Sequence, residues 1–511
     1  MIGGGGGIDI LIAKYFKVPA LDVVEINPST YDLLRGATDD DEHAYYPWLA
    51  SDSNTAINLF NREARHFSTS AAAHKYDIIQ ASGVDTYTAV VTGGLALTEN
   101  YLYTSNAVAD FARLLRPGGI LSLTHWRLDP PAQSLRMFMT YIDYLEREKV
   151  AEPWRHLVVI GGVNWNDTIL KTTPFTEDEM RALRKWTAES EQILLFDPLA
   201  TAAPVAGTSV GEKTAKFDAL SPRASKQEVR PSEKIYFAVA HADAVKRKQL
   251  LDAYPNDVTP VSDDKPYFYN CEKTTTWHSL SLGILLATAS VFAALLVFLP
   301  LIKVNKDGGM KLALAPYMLF FALCGFAFFF FETATIQLFS ILVGGPLYAL
   351  SVVLVCVLSG YATGSFISSR LQPTPRSFLL IGLGLLALFG SLYLGIHSVN
   401  KLLLPYNLGL RILGCGAVTF LSSIGAGIPV SLAMNRLRDE HGRMVSWMWS
   451  ISSAFNALGA AAFVPIGQAC GISFMLLLVA LLYAVAAVML ALSLRSQPLP
   501  QSSAVTSQSG T

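Results

Sequence analysis

The sequence predicts an α/β unit built on a parallel sheet, followed by an all-α bundle that crosses a membrane several times. Three observations lead there. The chain changes character near Trp277: before it, charge, proline and apolar residues are mixed, and from Leu280 to Leu494 long apolar runs follow one another. The composition is 51% hydrophobic and only 15% charged, well below the usual quarter. The first residues, "MIGGGGGIDILIAKYFKVPALDVVEINP", combine a glycine turn, a helical stretch and a short apolar run that ends in an acid. With a net charge of −1 over 511 residues, no bulk charge favours nucleic acid as a partner.

The elements read in order. Ile8 to Phe16 carries Ile8, Leu11, Ile12 and Tyr15 on one side, the spacing of a helix. Leu21 to Ile26 is a short apolar run containing Glu25, which suits a buried parallel strand. Glycines at a strand-to-helix turn let backbone approach a ligand closely, and the helix start offers free N–H groups. An acid at the tip of the next strand accepts hydrogen bonds from ribose hydroxyls. The order points to a Rossmann-like nucleoside site at Gly3, Gly4, Gly5, Gly7 and Glu25. Gly3, Gly5 and Gly7 fit G-x-G-x-G, but Ile8 stands where the dinucleotide pattern has its third glycine. Lys75 to Gln80 reads as another buried strand. Val108 to Leu115 reads as an amphipathic helix stopped by Arg116-Pro117-Gly118-Gly119, and Ile120 to Thr124 as the next strand. The string "RLLRPGGILSL" is common in S-adenosylmethionine-type Rossmann domains. A Rossmann sheet places its first strand directly before the glycine turn. Roughly five residues are needed for one, and only Met1 and Ile2 precede it. The expectation is a sheet whose first strand is mostly missing, in a sequence that is an N-terminal fragment.

The predicted boundaries are 1–130 for the nucleoside-binding unit and 131–275 for a soluble extension. In the extension, Ser134 to Lys149 reads as a helix, His156 to Ile160 as a strand, and Glu177 to Ser190 as a helix opened by Thr176. Thr201 to Pro231, rich in Ala, Ser, Thr and Pro, reads as a mobile loop. In "VTPVSDDKPYF", Asp263 and Asp264 suit either a metal or amine site, or a turn before Pro266. The five cysteines form no CxxC pair, so neither a disulfide framework nor a metal site is expected.

The strings "IGGGGGIDI", "VVEINP", "YDIIQASGVDTYTA", "ALTENYLYTSNAVADFARLLRPGGILSLTHW" and "DVTPVSDDKPYF" are spread over a stretch that makes up half of the chain. On these, the stretch from Ile2 to about Tyr269 resembles the spermidine synthase-like family, in particular its bacterial multi-pass membrane branch. The membrane string "FFFFETATIQLFSILVGGPLYALSVVLVCVLSGYATGS" also looks like that branch, which usually carries further spans upstream. The resemblance implies a Rossmann-like domain binding S-adenosylmethionine or its decarboxylated form as co-substrate, and a small amine or other small-molecule acceptor. It implies Gly3 to Gly7 against the amino-acid end of the nucleoside, Glu25 on the ribose and Glu63 at the adenine amine. Asp85 matches the second acid of the family's D-x-x-D loop, and Ser82 stands where the first acid belongs. An ionised carboxylate orients a cationic amine and takes its proton, whereas serine orients but is a poor base at neutral pH. Tyr101 and Tyr103 either line the amine pocket by cation–π contact or pack on an amphipathic helix that Glu99 and Asn100 begin.

About seven spans are expected over 276–495, at 280–302, 312–334, 347–368, 377–397, 409–434, 447–468 and 471–494. Each is long enough for a hydrocarbon core of about 30 Å. Small residues in "SGYATGS" and "ALGAAAF" suit close helix packing in lipid. Glu332, with Gln337 after it, either faces a polar interior or lies at the interface where its run ends. With seven spans, Lys303, Lys306, Lys311, Arg370, Arg376, Arg436, Arg438, Arg443 and Arg495 fall on one side. Lys273, Lys401 and Arg411 fall on the other. The positive-inside rule then puts the soluble part outside, away from a cytosolic cofactor. A re-entrant or extra crossing at 335–346 restores a cytosolic placement in a bacterial inner membrane, which is the expectation here. The polar tail 496–511 reads as disordered.

Three functions fit: a membrane-anchored aminopropyl transferase, an S-adenosylmethionine-dependent methyltransferase, and a non-catalytic nucleoside sensor on a transporter-like bundle. Ser82 favours the last two, and the family strings favour the first.

Overall fold

The computed structural model describes residues 1–36, 55–84, 99–204, 228–273 and 314–495, with isolated helical positions between 283 and 295. Asp85, the loop at 205–227, most of the run at 280–302 and the tail from 496 lie outside the described residues. The chain forms two compact units, Met1–Leu280 and Ser281–Thr511.

The first unit is a mixed α/β fold. Helix α1 spans Ile8–Tyr15, begins at Gly7 in the left-handed region (φ 77°), and carries Asp9 in its first turn. It ends in a Schellman-type closure. Lys17 takes a positive φ of 55° and Val18 N–H donates to the Ala13 carbonyl at 3.0 Å. Strand β1 (Ala20–Glu25) follows. Helix α2 (Pro28–Leu34) is capped by Asn27, whose side chain accepts from Ser29 N–H, with Pro28 in the first turn. Strand β2 (Ala56–Asn61), helix α3 (Ala64–Ser70) and strand β3 (Tyr76–Ser82) come next. Helix α4 covers Ser105–Leu114 and strand β4 covers Leu115–Trp126. Helix α5 (Gln133–Arg147) leads to strands β5 (Leu157–Gly161) and β6 (Trp165–Lys171). Helix α6 (Glu177–Glu189), strand β7 (Ile193–Phe196) and the short helices α7 (Ile235–Ala240) and α8 (Ala244–Ala253) complete the unit. Thr176 opens α6 as expected, in a capping box with Glu179.

The strands pair as β2–β1 and as β3–β4–β6–β5–β7. β1 runs parallel to β2, and β3 parallel to β4. β6 is antiparallel to both β4 and β5, and β7 is antiparallel to β5. The slot between β1 and β3 is held by the chain's first two residues. Ile2 forms parallel bridges to both Val24 and Ala81. Its N–H donates to the Gln80 carbonyl at 2.8 Å, and Val24 N–H donates to the Met1 carbonyl at 3.0 Å. Two residues thus join the two sheet segments in the central position that a first strand takes.

One sheet face carries Ile79, Ala81, Leu121, Leu123, Leu157, Val159 and Leu170 into a core shared with Phe111 of α4 and Phe138 of α5. Tyr236, Val258 and Phe268, far along the chain, enter the same core. Buried polar ties hold them there. Arg127 donates to both carboxylate oxygens of Glu233 at 2.7 and 2.8 Å. Arg136, 1% exposed, donates to the carbonyls of Asp257, Tyr267 and Phe268. Arg65 does the same for the Asp263 loop, with bonds to Asp263 at 2.9 and 3.0 Å and to Asp110 at 2.9 Å.

Two expectations change here, and the facing of one helix is new. The Arg116–Gly119 segment does not stop a helix ahead of a separate strand. It is a bulge inside β4, because the register steps from Tyr76↔Leu115 to Ile78↔Ile120, with Gly118 at φ 80°. The helix expected from Glu99 begins only at Ser105. Asn100 instead caps a short 3-10 turn over Tyr101–Tyr103, and Thr104 caps α4. The apolar side of α1 faces outward: Ile8, Leu11, Ile12 and Tyr15 are exposed while Ile10 is buried.

In the second unit, six helices among the described residues are long and apolar enough to cross a membrane. They are α9 (Ala315–Val343), α10 (Pro346–Ser368), α11 (Pro375–Leu403), α12 (Leu408–His441), α13 (Val445–Cys470) and α14 (Phe474–Arg495). Small residues bring them together as expected. In Gly360-Tyr-Ala-Thr-Gly364 of α10, both glycines lie against α12 backbone at Phe420 and Ile424. The re-entrant or extra crossing at 335–346 is absent. Residues 335–343 continue α9, and the first break is Gly344–Gly345, both at positive φ (97° and 137°). Nothing before it interrupts the helix, so Thr335 to Val343 simply lengthen the span.

Arg65→Met should lower the stability of the first unit by about 3 kcal/mol, because Asp110 and Asp263 lose a buried partner. Urea unfolding of the purified chain followed by tryptophan fluorescence checks this, and an unchanged midpoint contradicts it.

Candidate functional site

Ligands of open α/β sheets bind outside the carboxyl ends of the parallel strands, where the strand order reverses. Here that edge gathers the glycine turn, Glu25 at the end of β1, Ser82 at the end of β3 and Trp126 at the end of β4. Glu25 is turned toward the glycines. Its Oε2 accepts from Gly4 N–H at 2.9 Å and Gly5 N–H at 3.1 Å, and its Oε1 from Asn27 N–H at 2.8 Å. The glycines differ in what they do. Gly3, Gly5 and Gly7 lie at positive φ (78°, 46° and 77°). A side chain at Gly4 would run into Leu34 and Val23. Gly6 needs neither a left-handed backbone nor the room, for nothing lies within 4 Å of where its Cβ would be. The turn is therefore open on the side of Gly5 and Gly6.

Glu63 stands at the same edge, just past β2. Its carboxylate caps α3, accepting from Arg65 N–H at 2.9 Å and His66 N–H at 2.7 Å. Ser82 is exposed at the end of β3 and accepts from Gln80 Nε2 at 2.7 Å. Asp85 lies outside the described residues. Tyr101 gives its carbonyl to Arg65 at 2.7 Å. Tyr103 is 2% exposed and stacks in the core against His125 and Phe268, with ring centroids 4.7 and 4.6 Å away. Tyr103 is therefore packed in the core. His125 beside it is pushed down to about 3 by burial, and so stays neutral. Asp263, a candidate for metal or amine, is instead the partner of Arg65 and accepts from Thr104 Oγ1 at 2.6 Å. Its neighbour Lys265 closes a turn by donating to the Ser262 carbonyl at 2.9 Å. Among the described residues no cluster of three or more His, Cys, Asp or Glu side chains is arranged to hold a metal.

A cavity of about 30 Å³, lined by Met1, Ile2, Val24, Tyr76 and Phe111 among others, lies in the slot between β1 and β3 rather than above the glycines. It has room for about one water molecule. Asp22 on its wall draws hydrogen bonds from Lys75 (2.5 Å), Tyr76 (2.7 Å) and Asn58 (2.8 Å). Burial works against the Asp22 charge, but these three bonds outweigh it and hold its carboxyl below the usual range.

One acid escaped the sequence reading. Ser82 pairs with Thr124, and Thr124 with Asp167, so the three form one row across β3, β4 and β6. Residues opposite one another in paired strands share a face. Both Asp167 oxygens accept from Ser122 Oγ, at 2.8 and 2.9 Å. Burial pushes the Asp167 carboxyl up to about 6, against the opposing pull of Ser122 and Thr124. Beside the row, Trp126 and Trp165 stack at 3.7 Å between centroids. Trp165 also covers Gly83, where a Cβ would meet its ring at 2.8 Å. The available signal was an aspartate inside a strand-like alternation, "NWNDTIL", where strands disfavour it.

In the second unit, Glu332 and Gln337 both lie within α9 rather than at its end. Five residues separate them, which is roughly 140° around the helix, so they do not face one site together. No family model, curated protein or solved structure matches the chain.

Two predictions follow from this geometry. Gly4→Ala should cost about 1–2 kcal/mol of stability through overpacking, while Gly6→Ala should change it by less than about 0.5 kcal/mol. Equal losses in thermal unfolding would contradict the difference in space. Asp167 binds its proton more tightly folded than unfolded. Its penalty is therefore absent below about pH 4 and grows as the pH rises through about 6. Asp167→Asn should stabilise the unit by about 1–2 kcal/mol at pH 8 and leave it unchanged at pH 4. A mutant–parent difference that stays flat over that range contradicts the assignment.

Proposed function

We propose that the first unit binds S-adenosylmethionine or its decarboxylated form in the crevice above Gly3–Gly7. On this reading the chain is a membrane-anchored spermidine synthase-like transferase that passes an aminopropyl group to a small amine. The observation that carries the reading is the carboxylate of Glu25 seated against the amides of Gly4 and Gly5. It puts negative charge where a dinucleotide would lay its pyrophosphate on those amides. A nucleoside without phosphate meets no such repulsion, and a sulfonium cation is attracted. Glu25 keeps acceptor capacity for ribose hydroxyls, since an ionised carboxylate offers about four lone-pair sites and three are used.

The strand order supports the same reading. β4 and β5 run the same way with β6 antiparallel between them and β7 antiparallel at the edge, and the glycine turn and Glu25 lie at the carboxyl edge of the parallel strands, where such sheets bind ligands. In transfer, the amine nitrogen attacks the carbon beside the sulfonium, the C–S bond breaks, and the sulfur leaves as a neutral thioether. The ammonium so formed gives its proton to a base. Ser82 stands where an acid would be expected to orient the amine, and this favours a second reading, methyl transfer on the same scaffold. On this reading the unit lies on the cytoplasmic side of a bacterial inner membrane, where such a co-substrate is made, against the positive-inside count, since 335–343 adds no crossing.

Calorimetry with S-adenosylmethionine, its decarboxylated form and NAD decides the class. Binding of either sulfonium, with NAD excluded, is expected. Glu25→Ala should weaken it by about 1–3 kcal/mol, roughly 5- to 150-fold. Preference for NAD, or unchanged affinity in the variant, overturns the site. Preference for the decarboxylated form together with thioether release on adding an amine supports aminopropyl transfer; preference for S-adenosylmethionine without it supports methyl transfer.

A further inference from the structure

We propose that Glu332 is a site at which the second unit takes up and releases a proton within the membrane. Three observations carry this. First, position. α9 runs from Ala315 to Val343, so Glu332 stands three residues past its midpoint, about 4.5 Å along the axis. In the six helices the other acids are Asp439 and Glu440, both at the end of α12. Glu332 is thus the one acid among those helices that sits deep in a span.

Second, surroundings. α9 packs against all five other helices, α10 to α14, with Phe331 beside Glu332 edge-on to Phe389 of α11 at 5.1 Å, and its most apolar stretch is the most enclosed of the six. Phe328, one turn before Glu332, stacks on Tyr361 of α10 with centroids 5.0 Å apart. Glu332 lies on that same side of the helix and within electrostatic reach of Tyr361. The Tyr361 hydroxyl is 2.7 Å from the Tyr483 hydroxyl of α14. The carboxyl thus shares its side of α9 with a pair of linked hydroxyls, groups that each give and accept a proton.

Third, charge. Among the described residues Glu332 has no ion-pair or hydrogen-bond partner, and no charged group of the neighbouring helices acts on it. Arg370 lies over the Phe366 ring on α10. Arg411 and Arg436 of α12 donate to carbonyls at the helix ends: Leu404 and Tyr406 for the first, Pro373 for the second. α13 brings only Cys470 at its far end, and α14 brings Tyr483 inside and Arg495 at its end. A charged acid at a span centre costs about 2.5–3.5 kcal/mol on insertion scales. A cation or a proton removes that cost; α11 carries Arg376 in its first turn and His397 and Lys401 near its end, and among the described residues no cation pairs with Glu332. Glu332 is only half-buried, so it is not sealed inside the helix bundle. The proton comes from water and returns to water, and no other reactant is needed. The proposal is independent of the nucleoside reading of the first unit.

The test uses the full chain in detergent micelles with dicyclohexylcarbodiimide, which reacts with protonated carboxyls in apolar surroundings. Peptide mass spectrometry reads the adduct at Glu332 between about pH 5 and about pH 9. The expected result is an adduct at low pH that falls at least tenfold by the upper end, with Glu332→Asp labelled and Glu332→Gln not. The parent titration alone keeps the proposal open to refutation if a variant fails to fold. No adduct at any pH, or a yield that does not change with pH, overturns it. So does a yield set by sodium concentration at fixed pH, which would make the site a cation site.

Discussion

The glycine turn depends on one carboxylate. Glu25, 7% exposed, accepts from the amides of Gly4, Gly5 and Asn27. These amides belong to the turn before α1 and the turn after β1, so one side chain fixes both. Charge-assisted bonds of this kind are stronger than neutral ones, and each buried amide left without a partner costs about 1–3 kcal/mol. The same contact determines what the crevice can accept. The amides that would cradle a phosphate are already satisfied by an anion, while the outer side of the turn, at Gly5 and Gly6, is bare. On the proposed reading, structure and ligand preference would be set by the same atoms.

Around that contact the sheet is held by little. Ile2 is the sole residue among those described that bridges β1 and β3 through backbone. The second link is made by side chains: Lys75 and Tyr76 of the β3 end reach across to Asp22 of β1. Between the two links lies the 30 Å³ cavity. The position of Glu25 relative to Ser82 therefore rests on one bridged residue and one polar clasp, not on a full ladder. By contrast β3, β4, β6 and β5 are paired strand to strand, packed on one face throughout and on the other over β5, β6 and β7. The row Ser82–Thr124–Asp167 sits on the rigid part, and the glycine turn on the more weakly tied part.

Much of this was legible from local pattern. The turn–helix–strand–acid order, the strand at Tyr76, the Thr176 cap and the small-residue contacts of α10 are all read from neighbours a few residues apart, and they are found where expected. What escaped is non-local. Asp263 looks like a site acid until Arg65, 198 residues away, takes both its oxygens. Tyr103 looks like a pocket aromatic until Phe268 closes over it. Arg-Pro-Gly-Gly reads as a stop because proline and glycine end helices. Only pairing with β3 turns it into a bulge. The outward apolar side of α1 is a different failure: periodicity gives the stripe but not the side on which the sheet lies. Asp167 was passed over because its meaning comes from β4, where Ser122 and Thr124 supply the hydroxyls that meet it.

Ser82 moves the chemical question from the strength of a base to its position. A serine at the end of β3 orients a substrate and takes no proton at neutral pH. On the aminopropyl reading some carboxylate must take it, and an acid works best as a base when it titrates near the working pH. Asp167, at about 6, has that basicity and shares the face of Ser82. Both its oxygens, however, are engaged by Ser122. Those bonds leave lone pairs free for a proton, so Ser122 lowers the basicity of Asp167 without blocking it. On the methyl-transfer reading the acceptor is a nucleophile that needs no strong base, and the same Ser122–Asp167 pair is an internal polar tie of the sheet. What separates the two readings is therefore whether substrate can reach the strand row two strands beyond the glycine turn, and that depends on how far a ligand held at Glu25 extends toward Trp126 and Trp165.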